Sequence, residues 1–307
     1  MNSAPEEPAP AGRDEQTVID AHVHFWNPQH LSYPWLADAP PLNRPHTAEV
    51  LLAALPEPVE AIFVEAGASA SDAEAEIAWV RSAALTHPWI RGAVANVALE
   101  RPDLARPAIR RHAADPFVVG VRRNLQDEAR GFTSHEHFRA SVRALGDAGL
   151  PFDACVRDRQ LPELTELAAA CPQTTIILDH AGKPRSAHGA GNTAWRGALA
   201  RLAKHDNVVC KLSGLATELP ADTSRTRTAD VLRAALDIFS PERCLYGSDW
   251  PVMTLATDYR AWLDLIRDTL SAFPAQSARA VLRANATRIY RFDDAAALSG
   301  TPRQESA

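Results

Sequence analysis

The chain has 307 residues, 46% hydrophobic and 23% charged, with a formal net charge of -6. That composition is globular, and the length suits one α/β barrel of roughly 250 residues with added loops. The acidic balance excludes a general nucleic-acid binder, and no apolar run approaches the ~18 residues that cross a membrane.

Residues 1–16, rich in Pro, Ala and Glu, carry neither a basic n-region nor an apolar h-region. They read as a disordered tail and not as a signal peptide. The folded part opens on Ile19–Trp26, an apolar strand that ends in His22 and His24. Side chains at i and i+2 of a strand share a face. The two imidazoles therefore project together, suited to hold a metal or to polarise one bound group. A proline-rich loop, Asn27–His46, follows with Tyr33 and Trp35, which mark it as an ordered loop over the mouth of a pocket.

A short helix over Thr47–Leu55 starts on Thr47 as N-cap. Val59–Glu65 is a strand, and Ser71–Leu85 a helix with Ser71 and Glu74 as a capping box. Strands at Trp89–Val97, Phe117–Arg122, Leu150–Val156, Thr174–Asp179, Asn207–Ser213 and Arg243–Gly247 then alternate with helices. Those helices cover Pro102–Ala114, Ser134–Ala148, Gln160–Ala170, Thr193–Lys204, Thr228–Phe239 and Asp258–Phe273, before a last helix over Ala275–Tyr290. Gly182–Asn192 and Glu218–Arg227 read as loop insertions, and residues 293–307 as a second tail.

Near-continuous apolar strands belong to a parallel sheet buried on both faces. Eight of them, each followed by a helix, predict a single closed (β/α)8 TIM-type barrel over residues 17–292. An open doubly wound sheet would show a Gly-rich phosphate turn after its first strand; His22 and His24 stand there instead. Cys155, Cys171, Cys210 and Cys244 form no Cys-x-x-Cys pair and read as buried reduced thiols, so the cytoplasm is the expected compartment.

Active sites of such barrels lie at the C-terminal ends of the strands. Those ends carry His22 and His24, Glu65, Asn96, Arg122 and Arg123, Asp153, Cys155 and Arg157, Asp179 and His180, Lys211 and Ser213, and Ser248 and Asp249. Burying so many polar groups is costly unless they are paired or functional. His135 and His137 also stand at i, i+2, but within a helical pattern they face different ways.

The run Val18–Trp26, Tyr33-Pro34-Trp35-Leu36, Gly120-Val121-Arg122, Leu178-Asp179-His180-Ala181-Gly182-Lys183-Pro184, Cys210-Lys211-Leu212-Ser213-Gly214 and Tyr246-Gly247-Ser248-Asp249-Trp250-Pro251, in that order, resembles the amidohydrolase superfamily. Within it, the chain is similar to the amidohydrolase-related branch that contains sugar lactonases and pyrone-dicarboxylate lactonases. The resemblance implies a lactone hydrolase acting on a small molecule, with a sugar aldonolactone favoured. It implies that Asp249 is the general base, that His22, His24 and His180 polarise the carbonyl directly or through a metal, and that Arg122 holds substrate. The chemistry agrees with these roles. Lactone opening needs an activated water, an electrophile on the carbonyl oxygen and a proton for the leaving alkoxide.

Two-metal members of the superfamily place a lysine or acid on the fourth strand and a histidine on the fifth. Here Arg122 stands on the fourth and the fifth lacks histidine. One divalent ion held by His22, His24, His180 and Asp249, with Zn²⁺ as the expected metal, or no metal at all, is what remains. Trp26, Trp35 and Trp250 are expected to wall a sugar face, and Lys183 to touch substrate. Lys211 is expected either to pair with Glu65 or to reach substrate. The alternatives are a Zn-dependent decarboxylase of the same branch and a non-catalytic sugar-acid-binding barrel. Self-association stays open.

Overall fold

Short apolar strands with no polar face have to be covered on both sides. The computed structural model describes residues 17–291, so the expected tails at 1–16 and 293–307 lie outside it. The strands are β1 (Val18–Val23), β2 (Val59–Val64), β3 (Ile90–Asn96), β4 (Val118–Asn124), β5 (Phe152–Cys155), β6 (Ile176–Leu178), β7 (Val208–Leu212) and β8 (Cys244–Tyr246). They form one parallel sheet in sequence order, with helices between them, as the (β/α)8 expectation requires. The two ends of the sheet meet above the ladder. Asp249 N donates to His22 O at 2.9 Å, and His24 N donates to Trp250 O at 2.7 Å.

The barrel interior is layered. A fully buried apolar cluster takes Ile19, Ala21, Ile62, Val64, Val94, Ile177, Val209 and Leu245 from the strands. Ala286, Ile289 and Tyr290 of the last helix join it. Two residues further along β7 and β6, the same face carries Lys211 and Asp179, both fully buried. The polar site thus rests directly on an apolar plug. In β1 the pairing with β2 becomes irregular between Asp20 and Val23. There Asp20 accepts from Ser248 N at 2.9 Å, Tyr259 Oη at 2.8 Å and His22 N at 3.1 Å. It fastens β1 to the loop after β8.

Several expected elements differ in detail. The helix expected from Ser71 spans Ala73–Thr86 with Asp72 at its N-cap. The Asp72 carboxylate accepts from Ser32 N at 2.8 Å, so it ties down the Tyr33–Trp35 loop instead of capping its own helix. Thr47 is the N-cap of Ala48–Ala54, but its hydroxyl donates to Glu49 at 2.6 Å. The insertion after β6 is shorter than expected because a helix already begins at Gly189. The last helix is broken into Ala275–Arg279, a π turn at Ala280–Ala284, and Asn285–Ile289. At that wide turn Arg283 Nη1 donates to Thr17 O at 2.9 Å, and Asn285 Nδ2 donates to Cys244 O at 2.7 Å. All four cysteines are free and buried.

Glu76 is a buried acid on the helix after β2, packed against the chain just past the end of that strand. Burial, and then the Glu65 charge, push its carboxyl up from 4.5 to about 8. Both its oxygens lie 3.2 Å from Ala66 N. The folded chain keeps a proton there that the unfolded chain releases from pH 4.5 upward, so stability falls as pH rises toward 8. Glu76→Gln keeps the acceptor and removes the titration. It is expected to melt about 4 °C above wild type at alkaline pH and to lose that advantage near pH 5; thermal melts across that range are the check.

Candidate active site

A cavity of about 510 Å³ is lined by His24, His180 and Asp249, and these two imidazoles, with the fully buried His22 just outside the lining, converge on that carboxylate. Asp249 Oδ1 lies 3.4 Å from His24 Nε2, 3.7 Å from His22 Nε2 and 4.0 Å from His180 Nε2. His22 and His24 Nε2 face each other at 3.1 Å. The i, i+2 logic for this pair thus holds through the β1 irregularity. A second cavity, about 590 Å³, lies beside Leu219, Leu255 and Trp262, but no histidine or acid lines it. Convergent chemistry, not size, picks the first.

Backbone geometry aims these groups. His180 and Asp249 take left-handed conformations, with φ of 53° and 63°. Such conformations cost on the order of 1–3 kcal/mol for ordinary residues and cluster at functional sites. Gly214, itself at φ +66°, lies so close that a Cβ there would stand 2.5 Å from His180 Nδ1. Each ring is also held from behind. His24 Nδ1 lies 2.8 Å from Val64 O, an acceptor only, so Nδ1 carries a proton and Nε2 faces inward. His180 Nδ1 meets Ser213 Oγ at 2.9 Å. His22 Nδ1 lies 3.3 Å from both Lys211 Nζ and Asp179 Oδ1.

Burial pushes the His22 and His180 imidazoles well below their ordinary value, with Lys211 adding to it at His22, so both are neutral at pH 7. Burial alone would raise the Asp249 carboxyl, but His180, His24 and Lys183 hold it below its ordinary value. The site therefore sets two neutral imidazoles, His22 and His180, beside an ionised carboxylate.

The other expected residues separate. Arg122 lines the cavity, but its Nε donates to Glu65 Oε1 and its Nη2 to Glu65 O, each at 2.6 Å. Trp26 and Trp35 line the cavity, with their indole N–H groups donating to Leu42 O at 3.0 Å and Ala66 O at 2.8 Å. Trp250 does not line it; its ring packs on Phe25 at 6.0 Å and His46 at 5.6 Å. Lys183 lines the cavity, bonded to Gln126 and Glu218. The expected Lys211–Glu65 pair is corrected: Lys211 pairs with Asp153 and lies 3.4 Å from Asp179. Glu65 is already taken by Arg122.

Sequence reasoning gave no role to the buried acids Asp153 and Asp179, which take up Lys211, nor to Gln126 and Glu218. The signal for the first set was present as acids and a lysine inside apolar strand runs. Gln126 and Glu218 sit in loops, where a polar residue carries no such signal.

The donor set suits a divalent ion. His22, His24 and Asp249 offer ligand atoms within 4.8 Å of one another, as do His22, Asp179 and His180. Among the described residues no helix is long and apolar enough to cross a membrane.

Residues 19–292 match the family model described as Amidohydrolase. The chain is 33% identical over 287 residues to an L-fucono-1,5-lactonase of Burkholderia ambifaria, covering 90% of this chain and 96% of that one. It is 34% identical over 293 residues to an L-fucono-1,5-lactonase of Burkholderia multivorans, covering 91% and 97%. Among solved structures, an amidohydrolase from Burkholderia multivorans with bound Zn superposes with a TM-score of 0.80 at 31% identity, over 90% of this chain and 99% of that one.

Proposed function

The chain belongs to the amidohydrolase family, and from that premise we propose that it hydrolyses the ring ester of a sugar lactone, with Asp249 as general base. The observation that carries this reading is the convergence of His22, His24 and His180 Nε2 on Asp249 Oδ1, which lines the cavity. The relatives named as L-fucono-1,5-lactonases support the same chemistry.

In this mechanism Asp249 accepts a proton from water as the water attacks the lactone carbonyl, and returns it to the ring oxygen as the C–O bond breaks. The Nε2 atoms of His22, His24 and His180 surround Asp249 Oδ1, placed to hold a cation beside the carbonyl oxygen on which negative charge develops. His22, His24, His180 and Asp249 would hold one divalent ion, and the Zn bound by the Burkholderia multivorans amidohydrolase makes zinc the first choice. Such an ion supplies Lewis-acid polarisation of the carbonyl and makes water more acidic. The ring anchors at Val64 O and Ser213 Oγ hold His24 and His180 with their Nε2 atoms toward Asp249.

Charge pairing favours a neutral substrate over a dicarboxylate. Each cation that lines the cavity already has a carboxylate: Arg122 with Glu65 at 2.6 Å, Lys183 with Glu218 at 2.6 Å, and Arg157 with Asp127 at 3.0 Å. A dianion would enter a site with no unpaired cation to receive it, whereas a polyhydroxylated ring needs only hydrogen bonds and the apolar contact of the half-buried Trp35 that lines the cavity.

Acid release from a panel of aldonolactones and from 2-pyrone-4,6-dicarboxylate, with and without chelator, tests the proposal. Aldonolactone turnover well above that of the pyrone is expected. Loss on chelation, restored by Zn²⁺, would assign the metal. No acid from any lactone in either condition would overturn the lactonase reading.

A further inference from the structure

Three loops meet at one wall of the active-site cavity. Gln126 follows β4, Lys183 follows β6, and Glu218 ends a short helix, Leu215–Glu218, after β7. Lys183 is 8% exposed and sits at φ 49°, a left-handed conformation that is costly for a lysine. Its ammonium donates to Gln126 Oε1 at 2.7 Å and to Glu218 Oε1 at 2.6 Å. An ammonium has three donors. Two are used here, and none of the described residues accepts the third.

The remaining polarity follows from those two bonds. Lys183 can only donate, so the Gln126 amide must turn its oxygen to it. Cys155 Sγ also approaches that oxygen, at 3.9 Å. The Gln126 Nε2 group has no acceptor among the described residues and remains a donor. Glu218 uses one oxygen on Lys183, which leaves the other as an acceptor. The wall therefore presents two donors and one anionic acceptor. A hydroxyl both donates and accepts, so adjacent hydroxyls on a ring satisfy this pattern. A carboxylate can only accept, and Glu218 repels it.

We propose that Gln126, Lys183 and Glu218 form a subsite that reads the hydroxyl groups of the lactone, and that Glu218 sets the preference for neutral over carboxylated rings. The proposal rests on the lactonase reading above. Specificity of this kind arises when a substrate lacking the hydroxyls leaves buried polar groups unpaired.

The test is steady-state kinetics of the full chain and of Glu218→Gln and Gln126→Leu on three probes: an aldono-1,5-lactone, δ-valerolactone and 2-pyrone-4,6-dicarboxylate. Glu218→Gln keeps the acceptor for Lys183 and exchanges the free acceptor for a donor. In either variant the ratio of kcat/KM for aldonolactone to that for valerolactone is expected to fall about tenfold, chiefly through KM. In Glu218→Gln the dicarboxylate is expected to gain on the aldonolactone. Equal losses on aldonolactone and valerolactone, or unchanged ratios, would overturn the subsite. Melting curves identify a variant that fails to fold, and the other variant then decides. A wild type inactive on every lactone would sink the lactonase reading instead. Calorimetric binding of an alditol would still report on the subsite, expected about tenfold weaker in both variants, and equal binding by wild type and variants would reject it.

Discussion

Asp249→Asn is expected to lower kcat/KM for the aldonolactone by about 10²–10⁴-fold with a melting temperature close to wild type. The substitution is clean for a structural reason. Asp249 sits at φ 63°, a conformation that asparagine tolerates as well as aspartate does. Its bond to the first strand, Asp249 N to His22 O at 2.9 Å, is main-chain and survives the change. The variant loses only the basic oxygen at the centre of the three Nε2 atoms. The pH profile carries the same assignment. His180 and His24 hold the Asp249 carboxyl below its ordinary value, and burial keeps His22 and His180 neutral. Wild-type kcat/KM is therefore expected to stay flat from about pH 8 to about pH 6, with its acidic limb below the ordinary carboxylate range. A pH-stat assay of both proteins decides the matter: a variant with a tenth or more of wild-type activity would remove Asp249 from the role of base.

How far this site could be read from residues alone depended on whether a side chain's partner lay nearby in sequence. The barrel was legible because eight apolar runs alternate with helices, and parallel strands must be covered on both faces. His22 and His24 were legible because strand alternation is a local rule. His180 and Asp249 were placed through the Leu178–Pro184 and Tyr246–Pro251 motifs, yet their left-handed backbones have no local signature, since neither is glycine. Partner choice was not legible. Lys211 takes Asp153 and leaves Glu65 to Arg122, a pairing set by barrel register between β7 and β5 that no spacing in one sequence encodes. Trp250 looked like a ligand wall beside Asp249, but it turns onto Phe25 and His46, as a large apolar ring does when core space is available.

Lys211→Met is expected to destabilise the fold by about 3–5 kcal/mol, a fall in melting temperature of roughly 10 °C, and to depress turnover as well. Lys211 is fully buried at the base of the site. It pairs with Asp153, lies 3.4 Å from Asp179 Oδ1 and 3.3 Å from His22 Nδ1, and stands 5.6 Å over the Tyr290 ring. Methionine fills similar volume, so the loss is electrostatic: two buried acids remain with Arg122 Nη1, 3.9 Å from Asp179 Oδ2, as the nearest cation. The dependence on pH separates this cause from a packing defect. Burial already pushes the Asp153 carboxyl up from 3.8 to about 6 even though Lys211 pulls it down. A raised acid takes up a proton on folding, so its contribution falls as pH rises through that window. Without Lys211 the carboxyl rises further, and its charged form becomes costlier. The stability deficit of Lys211→Met is therefore expected to be large at about pH 8 and to shrink toward about pH 5, where a protonated Asp153 needs no cation. Melts at the two pH values measure it, and a deficit independent of pH would mean that Lys211 fills space and does not balance charge. Turnover adds the link to function. Lys211 and Asp179 are the groups that meet His22 Nδ1, so losing Lys211 removes one of the two contacts that aim the ring whose Nε2 faces Asp249. An unaltered kcat in a folded Lys211→Met protein would show that His22 keeps its aim without Lys211.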